Sequence, residues 1–182
     1  RSVNAQFTVG TVARLVPQKD FPTLLRAFQS FLTEFPDSRL LVVGNGILEK
    51  ELMKLSDHLG INEHVTWYGK TNDVKSLIQQ MDLFVLPSKY EGFGLVLLEA
   101  IQAGTPVLAA KNSAIPEVLG EDSEGLFPTG NSDELFRKLV KFHNLSFRNS
   151  LAAEQRTRLE FFDPSVMIEA MNKSYQDVMV KA

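Results

Sequence analysis

Two glutamates, Glu91 and Glu99, bracket the segment Gly92-Phe93-Gly94-Leu95, which leads out of a loop into an apolar stretch. Gly92 and Gly94 allow the backbone to approach a ligand closely where a helix begins. The unpaired N–H groups of that helix's first turn favour an anion. Upstream, Arg14 and Lys19 share the loop Arg14-Leu15-Val16-Pro17-Gln18-Lys19-Asp20. A planar guanidinium and a compact ammonium on one loop suit two adjacent phosphoryl groups. The plainer reading of the pair is two solvated surface cations.

Glu99 draws notice because its neighbours from Leu95 to Ala103 are nearly all apolar. That pattern predicts a helix buried all round, in which a lone carboxylate is costly unless it is well bonded. Ribose hydroxyls, Arg14 or a backbone turn would each supply partners. From Gly94 to Glu99 a helix rises roughly 7–8 Å, comparable with the phosphate-to-ribose span of a nucleotide. Glu91 would then lie on the far side of the phosphates, where a transferred group would sit. Gly44-Asn45-Gly46 offers a third loop. It invites a dinucleotide-binding reading, but the third glycine of that fingerprint would fall at Glu49, and a tight turn explains the pair as well. Lys111 ends another apolar run, either facing the same crevice or solvated.

The elements that must position these residues follow from periodicity. Short apolar runs predict strands at 7–13, 39–43, 64–68, 83–86, 106–110 and 125–127. Between them lie helical patterns at 21–35, where Leu24, Leu25, Phe28, Phe31 and Leu32 share a face, at 48–59, from Asn72 or Asp73 to Met81, and at 94–103. A helical turn is expected at 115–119, with further helices at 132–143 and 164–180. Strands apolar throughout are expected where helices cover both sheet faces, and repeated β-α-β units imply parallel strands. The predicted fold class is α/β: an open, doubly wound, Rossmann-like parallel sheet in one domain over 1–182. Its ligands belong at the carboxyl ends of the strands, where all of these loops lie.

Composition narrows the chemistry. With 44% hydrophobic residues the 182-residue chain can bury a core. Nineteen basic against 22 acidic residues give a net charge of −3, which argues against a nucleic-acid partner. The absence of cysteine excludes disulfides, thiolate metal sites and a cysteine nucleophile. His58, His64 and His143 have no metal-ligand spacing. No apolar run approaches the roughly 20 residues of a membrane span. The chain begins at Arg1 without an initiator methionine or a signal peptide, so it reads as a piece of something longer.

Taken together these motifs resemble a known family. Glu91-Gly92-Phe93-Gly94-Leu95-Val96-Leu97-Leu98-Glu99 is similar to the Glu-x7-Glu motif of retaining GT-B glycosyltransferases, the glycosyl transferases group 1 class. Pro87-Ser88 before it, Ala103-Gly104-Thr105-Pro106-Val107 after it and Ile115-Pro116-Glu117 continue the likeness. Arg14 and Lys19 match an Arg-Leu-x-x-x-Lys loop, and Gly44, Asn45 and Gly46 match a Gly-Asp-Gly turn, which the resemblance places among the donor-binding residues. The resemblance runs from about residue 8 to 128 and points to the C-terminal, donor-binding half of such an enzyme.

It implies that Arg14, Lys19 and the backbone of Gly92, Phe93, Gly94 and Leu95 hold the diphosphate of a nucleotide-sugar donor. Glu99 would accept the ribose hydroxyls and Glu91 would contact the sugar, which passes to an acceptor with retention. No metal or other cofactor is expected, since cations and a helix start stabilise the leaving diphosphate. Glu91 need not be a covalent nucleophile. Three departures concern loop shape: Ala13 and Asp20 replace glycines, and Asn45 an aspartate. The resemblance also implies a separate N-terminal acceptor domain and a cytoplasmic protein, with any membrane contact through that domain. The apolar face of the 164–180 helix (Val166, Met167, Ala170, Met171, Val178) would pack towards that domain or close on its own sheet. Two other readings stay open: a non-catalytic donor-binding subunit with a partner chain, and a nicotinamide-dependent oxidoreductase domain.

Overall fold

A computed structural model describes residues 6–162. Its strands are β1 (Thr8–Val12), β2 (Arg39–Val43), β3 (Val65–Gly69), β4 (Leu83–Leu86), β5 (Val107–Lys111) and β6 (Leu126–Pro128). They form one sheet of order β3-β2-β1-β4-β5-β6, and every pairing is parallel. Parallel neighbours need crossover connections, supplied by α1 (Phe21–Glu34), α2 (Glu49–His58), α3 (Val74–Ile78), α4 (Leu95–Gln102) and α5 (Ile115–Leu119), while α6 (Ser132–His143) and α7 (Leu145–Thr157) follow β6. The chain winds outward from β1 to β3 and then returns to lay β4 on the other side of β1. The carboxyl ends of β1 and β4 therefore flank the switch point, where an open α/β sheet leaves a crevice. Topology alone brings the Arg14–Lys19 loop beside the Glu91 loop.

Phenylalanines fill one layer. Phe21, Phe28 and Phe31 of α1, Phe127 of β6 and Phe142 of α6 are buried in a single cluster with Val9, Leu40 and Leu83. Each buried Phe contributes roughly 1.5–3 kcal/mol relative to an exposed one. On the other sheet face Phe84, Leu97, Ile101, Ile115 and Val118 pack together. Leu83 to Leu86 are all buried, as expected for a central strand covered on both sides.

The structure differs from the sequence expectation in four places. Edge strand β3 is covered on one face only: Val65 points inward while Thr66 and Tyr68 are exposed. Helix α3 stops at Ile78 rather than Met81, although Asp73 caps it as expected, accepting from the Ser76 N–H at 3.3 Å. Helix α7 has no counterpart in the expected elements. It is capped by Asn144, whose side chain accepts from Ser146 and Phe147. Its Gln155 is fully buried, accepts the Val107 N–H at 2.8 Å and donates to the Val107 carbonyl at 2.8 Å. Because β6 pairs with β5 only from Ala109 onward, this amide stands in for a missing strand. The fourth difference concerns α4, whose Leu95, Glu99 and Gln102 are exposed. The expected 164–180 helix lies outside the described residues.

Candidate functional site

Two loops are sewn together at the switch point. Gln18 donates to the Tyr90 carbonyl at 2.7 Å, and the Lys89 N–H donates to the Gln18 carbonyl at 2.8 Å. Lys89 also lies 3.7 Å from the Asp20 carboxylate. At the centre of this seam Lys19 pairs with Glu91. The pair is largely buried, with side-chain exposures of 14% and 9%. The Ser88 hydroxyl donates to the same Glu91 oxygen, Oε1, at 2.7 Å.

Asp20 closes the first loop in a left-handed conformation, φ 46° and ψ 42°. A glycine adopts that conformation freely, whereas a side chain costs roughly 1–2 kcal/mol. The departure from glycine noted in the sequence is thus a strained position. The carboxylate partly offsets the strain: it accepts from the Thr23 hydroxyl at 2.8 Å and is buried beside Lys89.

Gly44-Asn45-Gly46 supports the first loop from behind. The Leu15 N–H donates to the Asn45 carbonyl at 2.9 Å, and the Leu48 N–H to the Leu15 carbonyl at 3.0 Å. A Cβ on Gly44 would stand 2.1 Å from the Ala13 carbonyl oxygen, and one on Gly46 would stand 2.4 Å from that of Leu15. The glycines are needed so that two protein segments can touch. That is the physical reason to set aside a dinucleotide fingerprint here.

Beyond Glu91 the chain turns through Gly94, whose φ of 70° places it in the left-handed region at the start of α4. Among the described residues the N–H groups of Gly92, Phe93, Gly94, Leu95 and Val96 have no acceptor. They form a cluster of free donors beside the ion pair. Phe93 packs edge-on against Phe162, with ring centroids 5.6 Å apart. Leu95 is 64% exposed.

Glu99 corrects the sequence expectation. It stands on the open stripe of α4 with Leu95 and Gln102, so it carries no burial penalty. It lines a groove of about 400 Å³ with Asn72, Asp73 and Lys75. The pairing with Arg14 that burial would have demanded is not formed. Arg14 is exposed and has no partner among the described residues. Lys111 turns to Glu121, 3.4 Å from its carboxylate and 3.0 Å from its carbonyl, and joins none of these groups.

Sequence reasoning missed Ser88 and Asn112 as site residues. Asn112 donates to the Ser88 carbonyl at 2.6 Å, with the Ala110 carbonyl at 3.3 Å and the Thr129 hydroxyl at 3.2 Å. It ties the ends of β4, β5 and β6 together. No spacing rule flags either residue: Ser88 bonds a carboxylate three positions on in an irregular loop, and Asn112 reaches Ser88 and Thr129 on other loops.

The sequence pattern of the family described as glycosyl transferases group 1 matches residues 2–158. The chain belongs to that family. One relative, the Vi polysaccharide biosynthesis protein VipC/TviE of Salmonella typhi, is 31% identical over 175 residues, covering 94% of this chain and 30% of its own length. The structure of Alr3699/HepE from Anabaena in complex with UDP superposes with a TM-score of 0.80 at 25% identity, covering 97% of this chain and 49% of that one. The C-terminal domain of LpcC, a group 1 glycosyltransferase of Francisella tularensis, gives a TM-score of 0.75 at 25% identity, covering 85% of this chain and 84% of that one. The chain thus spans about a third of its curated relative and about half of HepE. Its sheet is one half of a GT-B fold, and it matches the C-terminal half.

Proposed function

We propose that this domain binds a nucleoside-diphosphate sugar and presents it for retaining transfer to a glycan, lipid or other cell-envelope acceptor. The acceptor is held by an N-terminal domain that completes the cleft. The observation that carries this reading is the convergence, at one switch point, of Arg14, the Lys19–Glu91 pair and the unpaired amides that open α4. Arg14 and the amides of Gly92–Leu95 take the diphosphate, with Lys19 reaching it from the seam. Glu99, about 7–8 Å down the helix from Gly94, accepts the ribose hydroxyls. Its exposure suits a group that waits for a ligand.

In the reaction, the bond from the anomeric carbon to the diphosphate oxygen breaks while an acceptor oxygen bonds to the same face. The acceptor's proton passes to the leaving phosphate oxygen. Charge grows on the diphosphate, and donors fixed in advance stabilise it without reorganising. Glu91 contacts the sugar and forms no covalent bond to it. No metal is needed in this scheme.

Calorimetry with UDP, GDP and ADP tests the reading. The isolated domain is expected to bind one of them weakly and to transfer no sugar unaided. Glu99→Ala is expected to weaken binding about ten- to a hundredfold, since hydrogen bonds to a charged group contribute about 1.5–3 kcal/mol. A folded domain that gives no heat with any of the three overturns the proposal.

A further inference from the structure

The two oxygens of Glu91 are not equivalent. Oε1 is taken twice, by the Ser88 hydroxyl at 2.7 Å and by Lys19. Oε2 has no partner among the described residues, yet it is not among the closed-off polar atoms. A carboxylate on a loop would ordinarily rotate about its last torsion and present either oxygen. Here two donors on the same oxygen fix the rotation and leave Oε2 facing outward.

Ser88 is well placed to impose this. It is fully buried at the end of β4, three residues before Glu91. Its carbonyl is held by the Asn112 amide at 2.6 Å. The orientation of that amide is itself determined: the Ser88 and Ala110 carbonyls can only accept, so the nitrogen must face them. The frame therefore runs from the end of β5 through Asn112 and Ser88 to one carboxylate oxygen. Lys19 alone would not suffice, because a flexible ammonium follows a moving carboxylate, whereas a buried hydroxyl on a strand end does not.

We propose that Ser88 is a positioning residue: it holds Oε1 of Glu91 so that Oε2 meets a hydroxyl of the donor's sugar. The inference rests on the donor-binding reading and adds to it a residue that decides the sugar contact rather than the nucleotide contact. A hydroxyl bonded to an aimed carboxylate is expected to bind about tenfold tighter than to one that rotates freely.

The test compares each nucleoside diphosphate with its sugar conjugates, titrating the 182-residue chain with UDP, UDP-glucose, UDP-N-acetylglucosamine, GDP and GDP-mannose. Ser88→Ala is expected to cost the preferred sugar nucleotide about tenfold more affinity than its bare diphosphate. Ser88→Thr, which keeps the hydroxyl, is expected to restore most of that difference. Ser88→Cys, close in shape but a weak donor, is expected to behave like Ser88→Ala and serves if the alanine variant does not fold. A merely structural serine would weaken diphosphate and conjugate alike, and that result overturns the assignment. So does a Ser88→Ala chain that keeps the full sugar preference, or a native chain that binds a diphosphate but prefers none of the conjugates. A native chain that binds no nucleotide overturns the donor reading itself, and this inference with it.

Discussion

Lys19 and Glu91, separated by 72 positions in the chain, neutralise one another across the switch point. The two residues expected to face different parts of a ligand thus face each other. The pairing keeps a largely buried carboxylate and a largely buried ammonium from standing uncompensated. Arg14, on the same loop as Lys19, stays exposed.

Breaking this pair from one side should cost more than removing it. Lys19→Met leaves Glu91 buried with Ser88 as its remaining bonded partner, and loss of a buried charge's counterpart typically costs several kcal/mol. Given the slight exposure of both side chains, a loss of about 2–3 kcal/mol is expected. The double variant Lys19→Met/Glu91→Gln should recover most of it. Urea unfolding of the two single variants and the double variant measures the coupling, and simply additive losses would show that the pair is not a unit.

At Asp20 the backbone and the side chain pull in opposite directions. Both Asp20→Gly and Asp20→Ala lose the bonds to Thr23 and Lys89, but alanine alone retains a Cβ in the left-handed region. Asp20→Ala should therefore be less stable than Asp20→Gly by about 1 kcal/mol. Equal unfolding midpoints would mean that the loop relaxes out of this conformation.

Much of this arrangement could be read before any coordinates. The apolar spacing of Leu24, Leu25, Phe28 and Phe31 fixed the buried face of α1, and the alternation of strands and helices placed Arg14, Lys19 and Glu91 at one sheet end. Two errors share a cause. The run from Leu95 to Ala103 reads as buried all round because its residues are apolar, but apolar identity does not say that a neighbour covers every face. Leu95 is 64% exposed. Helix α7 was invisible for the converse reason: its buried residues are Leu151 and the polar Gln155, so no apolar stripe announces it. Ser88 was legible as part of a motif but not in its role, since its hydroxyl serves a loop carboxylate rather than a helical neighbour.

The role assigned to Gln155 can be checked directly. Gln155→Leu would leave the N–H and the carbonyl of fully buried Val107 without their partners. Each such group costs about 1–3 kcal/mol, so an unfolding free energy lower by about 3 kcal/mol is expected. Faster hydrogen exchange at the Val107 amide should accompany it. If the Val107 amide remained as protected as in the native chain, the clamp would not be what holds that end of β5.

Acid should weaken the domain through His143, far from the site. Its ring stacks on Phe35, centroids 3.9 Å apart, and meets Phe7 edge-on at 4.8 Å. Burial among these rings pushes its pKa below the ordinary value of 6.5; the nearby Arg148 charge reinforces this and Asp82 opposes it. The unfolded chain therefore takes up a proton at a pH where the folded chain still refuses it. Stability contributed this way is fully present above pH 6.5 and falls as the pH drops below it towards the folded-state value. The limiting slope for one proton is about 1.4 kcal/mol per pH unit. His143→Phe keeps a ring against Phe35 and removes the proton site, so its unfolding free energy should fall less on acidification. Urea titrations of both chains at a pH above 6.5 and at one below it measure the difference. Equal losses in the two would assign the acid sensitivity to other groups.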